Sequence, residues 1–179
     1  KRGGKVRTNV LAIIPEGMTP EQILGSFEGS PTIQSKLQQY LMAITDGKDE
    51  APFTKNSITV NGEVSTDVFC GIGTGDVKIH GQIKSKRALV ASVFGNVILE
   101  SLVQRKYLGD GDNFTETIPF KARIEALDGT LEILAKEKLI FKGAETYSKQ
   151  GTYFEALGNI YDLPVTLVTQ RASQFDGGY

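Results

Sequence analysis

The stretch TIPFKARIEALDGTLEILAKEKLIF, residues 117–141, constrains the fold more than any other part of the chain. Apolar and charged residues alternate on both sides of Asp128-Gly129, a pair suited to a tight turn. Closing a two-residue loop there sets Leu127 against Thr130, Ile124 against Ile133, Ala122 against Ala135 and Ile118 against Leu139. Lys121, Arg123, Glu125, Glu132, Lys136 and Lys138 then share the opposite face. Such a split predicts an antiparallel pair with one wet face. Glu137 falls on the apolar side opposite Phe120, where an inward charge guards a sheet edge.

The flanking segments extend this reading. Asn9 to Ile14 is a short apolar run with strand character. Thr19, Pro20 and Gln22 form a helix start, with a capping residue, proline at the first helical position and glutamine three after the cap. That helix runs to about Phe27. Ser30 and Pro31 open a second one, with Ile33, Leu37, Tyr40, Leu41 and Ile44 on one face and Gly47 as its stop. Asn61-Gly62 predicts a hairpin, or else one continuous strand with a bulge. Val77, Ile79 and Ile83 mark a further strand. In SKRALVASVFGNVILESLVQRKYL, residues 85–108, a wide stripe of Leu89, Val90, Val93, Phe94, Val97, Ile98 and Leu102 predicts a long central helix. TYFEALGNIYDL predicts another helix with Phe154, Leu157, Ile160 and Tyr161 inward, and PVTLVTQ a closing strand that starts at Pro164. No period of 20 to 50 residues is apparent.

Together these elements predict an α+β fold. An antiparallel-rich sheet packs on one long central helix, the C-terminal part follows a ferredoxin-like βαββαβ order, and a strand plus two short helices precede it. Residues 1–8 form a basic flexible arm, and residues 9–179 form a single domain.

Composition narrows the chemistry. Among 179 residues there is one cysteine, Cys70, and one histidine, His80. An intrachain disulfide and a multi-histidine zinc site are therefore excluded. The formal net charge of −1 gives no global pull toward nucleic acid or anionic membrane. No apolar run reaches the length of a membrane-spanning helix, and no secretory signal is read at the start. These features fit a reducing, cytoplasmic setting, with a virion as the alternative.

The glycine-rich segment VFCGIGTGDVKIHG invites comparison with phosphate loops. Gly71 and Gly73 match a dinucleotide fingerprint, but Asp76 occupies its third glycine position, and no Lys-Ser/Thr follows Gly75. A strand-like VKIHGQI comes next, so no helix N-terminus is aimed at an anion. What remains is a flexible partner loop of Gly71, Gly73, Thr74 and Gly75. Asp76 and His80 lie about 13 Å apart on a strand, too far to act as a base and its orienter. Cys70 sits in an apolar strand, which favours a buried, inert thiol. Asp110 and Asp112 in DGDN resemble the opening of a calcium loop, but Lys121 stands where the closing glutamate belongs. No catalytic residue, metal site or cofactor is therefore assigned.

Basic residues are the stronger lead. Lys1, Arg2, Lys5 and Arg7 form an N-terminal cluster, and Lys84, Lys86 and Arg87 a second one. Either suits nucleic acid or an anionic membrane surface.

The runs VKIHGQIKSKRALVASVFGNVILESLVQRKY and PFKARIEALDGTLEILAKEKLIF resemble, in element order, the core of rhabdovirus-type matrix proteins. That resemblance implies a protein that self-associates, condenses a nucleocapsid and lies under a membrane. It carries over no site residues. The sequence thus predicts a non-enzymatic structural or assembly protein, homo-oligomeric, that meets an anionic partner through its basic clusters. The alternatives are an RNA- or single-stranded-DNA-binding module, and a small-molecule enzyme using Gly71 to His80.

Overall fold

A computed structural model describes residues 5–15, 17–28, 30–46, 53–54, 57–109 and 111–170. In chain order the elements begin with β1 (Lys5–Ile14), α1 (Pro20–Gly25), α2 (Pro31–Asp46), β2 (Phe53–Thr54), β3 (Ile58–Val60) and β4 (Glu63–Gly73). Next come β5 (Val77–Ile79), β6 (Gln82–Ser85), β7 (Arg87–Ser92), β8 (Val97–Glu100), β9 (Gln104–Tyr107) and β10 (Phe114–Thr117). The chain continues through β11 (Arg123–Ala126), β12 (Leu131–Ala135), β13 (Leu139–Lys142), β14 (Glu145–Ser148), β15 (Thr152–Ala156), β16 (Ile160–Leu163) and β17 (Thr169–Gln170).

The strands wind as a parallel β-solenoid. On the first face β3, β5, β8, β13 and β16 stack in that order, each parallel to the next. On the second face the first half of β4 is followed by β6, β11 and β14. On the third, the second half of β4 is followed by β7, β12 and β15. Four complete turns result, and β16 begins a fifth. β1 lies parallel along β4 and covers the start of the coil.

Each turn sends alternate residues inward, and registered strands stack like on like. Ile58, Val77, Val97 and Leu139 form one interior column, and Val60, Ile79, Leu99 and Phe141 a second. All eight are buried, and each buried aliphatic side chain contributes about 1.5–3 kcal/mol. The corners carry short polar pairs: Asn61-Gly62 and His80-Gly81 at one, Gly75-Asp76, Gly95-Asn96 and Gly158-Asn159 at another. Asp76 Oδ1 accepts from the backbone and side-chain amides of Asn96, 3.1 Å each. Asn96 Oδ1 in turn accepts from the Lys138 amide at 3.0 Å. One polar ladder thus ties three successive turns.

The α+β expectation is overturned. Residues 85–108 contain no helix: they form most of β6 to β9, with bends at the corners. The third face explains the misleading stripe. Phe69, Val90, Leu131 and Ile133 point into the coil, while Cys70, Ile72, Leu89, Ala91, Val93 and Leu134 pack outward against α1 and α2. A strand buried on both sides shows a continuous apolar run, which periodicity cannot separate from a buried helix. Residues 152–163 likewise form β15 and β16 rather than a helix, and in 164–170 only Thr169–Gln170 is strand.

The Asp128-Gly129 and Asn61-Gly62 pairs are corners between strands on adjacent faces, neither hairpins nor bulges. Ile124 and Ile133 do both face the core, as expected, but do not oppose each other. Ile124 registers with Ile83 and Thr146, and Ile133 with Val90 and Phe154. The ferredoxin-like order and the antiparallel-rich sheet fall with them. A period is also present: 19 residues separate registered Ile58 and Val77, 20 separate Val77 and Val97, and 21 separate Leu139 and Ile160.

The two N-terminal helices stand where the sequence put them, while β1 ends at Ile14 as expected but begins at Lys5, inside the segment expected to be a flexible arm. Thr19 and Gln22 complete a reciprocal capping box. Residues 1–4 lie outside the described residues, while Lys5 to Thr8 belong to β1, in register with Glu63 to Thr66.

One excursion leaves the coil. Two residues join Ile79 to Gln82, but residues 101–122 separate β8 from β11 in the next turn. Within that excursion β9 and β10 pair antiparallel, and β17 adds a third strand. Its root is clamped by buried Ser101, whose hydroxyl donates to the Gly143 carbonyl (2.6 Å) and accepts from the Ala122 amide (2.8 Å).

Candidate functional site

The predicted site residues do not converge. Lys1 and Arg2 lie outside the described residues, and Lys5 and Arg7 fall in β1. Lys84 projects from the second face, in register with Ser65 and Glu125. Lys86 sits at the next corner, 3.8 Å from Asp67. Arg87 is half-buried at the start of β7. Nearby basic residues are neutralised: Lys121 lies 2.7 Å from Glu145, and Arg123 lies 3.6 Å from Glu125 and 3.8 Å from Glu145. The Lys121 ammonium holds the Glu145 carboxyl below its ordinary range. Lys136 and Lys138 are on a different side of the coil. Lys136 reaches the Ser26 carbonyl between α1 and α2.

The glycine segment is part of the coil wall. Gly71 and Gly73 are buried in β4, and Thr74 and Gly75 turn the corner to β5. The Thr74 carbonyl accepts from the Phe94 amide (3.1 Å), and the Gly75 carbonyl from the Ser92 hydroxyl (2.6 Å). His80 Nδ1 lies 3.0 Å from the Glu100 carbonyl of the next turn, and Asp76 is engaged by Asn96 at another corner. Asp110 is outside the described residues, and the Asp112 carbonyl accepts from the Gln170 side chain.

Cys70 lies under the helices with no exposure. Burial pushes its thiol up to about 12, a shift slightly offset by the Arg87 charge. The ordinary value is 9.0, so between pH 9 and 12 the unfolded chain releases a proton that the native chain keeps. Stability contributed by this group is intact below pH 9 and falls as pH rises, by about 1.4 kcal/mol per pH unit. Denaturant midpoints measured at mildly and strongly alkaline pH should show this slope in the parent and a shallower one in Cys70→Ala. Equal slopes would refute it.

The two helices are held to the third face by apolar packing and by polar contacts at its rim. Ile23, Phe27, Ile33, Leu37 and Leu41 are all buried there. The Ser30 and Tyr153 hydroxyls both donate to the Glu155 carboxylate at 2.5 Å. Lys36 lies 3.7 Å from buried Glu132 and 4.5 Å from the Tyr153 ring centre. Burial, then the Glu155 contact, raises the Tyr153 phenol above its ordinary range.

The C-terminal end of the coil leaves strand edges open. Within the described residues no strand follows β14, β15 or β16 in its sheet, so each presents an open edge. Interior positions at this end become partly polar: Thr146, Ser148 and Thr152 register with Ile124, Ala126 and Leu131, and Asp162 of β16 with Phe141, while Phe154 and Ala156 still pack against the core. Apolar side chains are nonetheless exposed on and beside β16. Leu157, Ile160, Tyr161, Leu163, Leu167 and Val168 are 36–48% exposed. The sequence reading missed this exposure because it turned Leu157, Ile160 and Tyr161 inward on a helix. The available signal was Gly158-Asn159, a further copy of the Gly75-Asp76 and Gly95-Asn96 corners, which announces another strand.

No protein-family model, curated protein or solved structure matches the chain. Among the described residues no helix is long and apolar enough to cross a membrane.

Proposed function

We propose that this chain is a structural protein that acts by self-association through the C-terminal end of its solenoid. One observation carries the reading. Four large apolar side chains, Leu157, Ile160, Tyr161 and Leu163, are exposed on and beside the last strand, next to three parallel edges that no further strand pairs among the described residues. An exposed strand edge is a template for another strand, and clustered exposed apolar groups mark interaction sites. β16 carries no lysine, and its single charge, Asp162, registers with inward-facing Phe141 and is the one feature that opposes edge pairing.

Among the described residues the anionic-partner component draws on Lys84, Lys86 and Arg87, of which Lys86 already pairs with Asp67, while Lys121 and Arg123 are committed to carboxylates. It has less support than self-association. The nucleocapsid and membrane roles implied by the matrix-protein resemblance draw on an element order with a central helix, whereas the quoted residues fold as strands and corners.

Sedimentation velocity over a concentration series tests the proposal. The parent should shift to larger species with concentration, and Leu163→Lys should stay monomeric. Leu163 is 43% exposed, so the change costs the fold less than about 0.5 kcal/mol. A parent that remains monomeric at its highest soluble concentration overturns the reading.

A further inference from the structure

We propose that copies of this chain stack head to tail, the C-terminal end of one coil seated on the N-terminal end of the next, so that the solenoid continues as an open filament. This rests on the self-association reading and names the surface that receives the C-terminal end. On the first face five strands run parallel from β3 to β16, and among the described residues neither outer strand has a further partner in the sheet. Their free backbone groups are in phase. The Asn159 and Leu163 carbonyls accept from the Leu139 and Gly143 amides of the preceding turn, which turns the amides and carbonyls of Ile160 and Asp162 toward the open side. In β3 the Ile58 amide donates to the Asp76 carbonyl and the Val60 carbonyl accepts from the His80 amide, which turns the Thr59 amide and carbonyl away from β5. Setting Ile160 over Ile58 of the next copy joins Thr59 to Ile160 and Asp162 by the parallel ladder that links the earlier turns of this face.

The second face brings charge to the same contact. Register aligns Lys5, Glu63, Gln82, Arg123 and Glu145 in one column, and Arg7, Ser65, Lys84, Glu125 and Tyr147 in the next. Basic positions head both columns at the β1 end. The other end closes with Glu145, whose side chain is 42% exposed beside Lys121 and Arg123, and with exposed Tyr147. A copy seated in this register sets the Lys5 position against Glu145 and the Arg7 position against Tyr147, a cation to a carboxylate and a cation to an aromatic ring. A contact between like ends would not unite these positions. On the third face β2 already pairs with Ile13 and Ile14 of β1, so the first two faces carry the ladder. Asp162 opposes the contact, because it follows Val60, Ile79, Leu99 and Phe141 in an interior column.

Single-cysteine variants read the polarity of the contact, because the native Cys70 is buried. Thr59 of β3 and Tyr161 of β16 share one column, and neighbouring strands lie about 4.8 Å apart, within disulfide reach. After mild oxidation, Thr59→Cys alone and Tyr161→Cys alone should run as single chains on a denaturing gel. A mixture of the two should give a covalent dimer, and the double variant a ladder of higher multimers. Lys5→Glu and Glu145→Lys should each weaken association about tenfold, and mixing them should restore a pairing that stops at the dimer. Asp162→Val removes the one charge carried into an interior column and should tighten association at least about tenfold. Tyr161→Cys linking to itself, or an associating mixture that does not link, overturns the head-to-tail contact and leaves self-association standing. An Asp162→Val variant that associates no better than the parent counts against the same register. A parent that stays monomeric in sedimentation defeats the self-association reading beneath it.

Discussion

Gly81→Ala should unfold the protein or cost it about 4 kcal/mol or more, the range reached only when a named structural feature is destroyed. Gly81 occupies the corner between β5 and β6, directly over the Asn61-Gly62 corner of the preceding turn. Its amide donates to the Val60 carbonyl (3.0 Å), and its carbonyl accepts from the Arg123 amide of the following turn (3.0 Å). A Cβ there would lie 2.8 Å from the Asn61 carbonyl carbon and 2.9 Å from that of Gly62, and closer still to the Gly62 oxygen. All three are backbone atoms, so no side chain can swing aside. Relief requires spreading two turns, which breaks the His80 and Gly81 amide bonds to Val60 and the Gln82 bond to Gly62 together. Gly25→Ala in α1 is the control: nothing lies within 4 Å of its added carbon, and it should be neutral or slightly stabilising. Denaturant midpoints compare the two. A Gly81→Ala midpoint equal to the parent's would remove steric stacking as the basis of the corner.

The same corners decide how much of the fold was legible. Gly75-Asp76 and Gly95-Asn96 lie one turn apart, and Gly158-Asn159 continues the series. Glu137-Lys138 takes the corner between them, and residues 101–122 stretch the third turn to slightly more than twice the spacing of the others. A repeat carried by two-residue corners, broken once in composition and once in length, does not show as a period. Inward and outward assignments survived where one side was wet: Ile124, Ile133, Ala122 and Ala135 are buried, and Lys121 and Arg123 project outward. Pairing did not survive, because alternation fixes which side a residue faces and says nothing about which strand lies beside it. Residues 121–126 therefore had their faces right and their neighbours wrong, whereas Glu132 of the next strand, expected on the wet face, is buried beneath the helices, and Glu137 at the corner beyond it, expected inward, is exposed.

The helices were legible for the opposite reason. Thr19, Pro20 and Gln22 act within one turn of chain, and their capping box needs no distant partner. Phe94 shows the converse. The stripe from Leu89 to Leu102 placed it in the core, yet it sits at a corner and is 56% exposed. Valine and isoleucine at Val90, Val93, Val97 and Ile98 were the local evidence for strands. The wide stripe outweighed them because sheet burial on both sides removes the alternation that identifies a strand.

That two-sided burial leads to the second large effect. Phe27→Ala should destabilise the protein by about 3–5 kcal/mol, the usual cost of truncating a buried phenylalanine. It should also open access to Cys70. Phe27 has no exposed surface and belongs to the cluster that joins α1 and α2 to Cys70, Ile72, Leu89, Ala91 and Leu134 across three turns of the coil. The helices dock through these side chains and a few rim contacts, whereas the coil beneath is held by strand ladders. An element docked by side chains lifts at lower cost than one laddered into a sheet. Cys70 reports that lifting, since it lies beneath the helices and its thiol stays protonated while they remain down. Lowering the opening free energy by 3–5 kcal/mol should accelerate modification of Cys70 by a small thiol reagent about 100-fold or more. Lys136 lies 6.0 Å from the Phe27 ring centre and Lys36 bridges to Glu132, so Lys36→Met should accelerate labelling less than Phe27→Ala does. Labelling of Phe27→Ala at the parent's rate would show that the route to Cys70 does not pass through the helices. The third face would then have to be held shut by the coil itself.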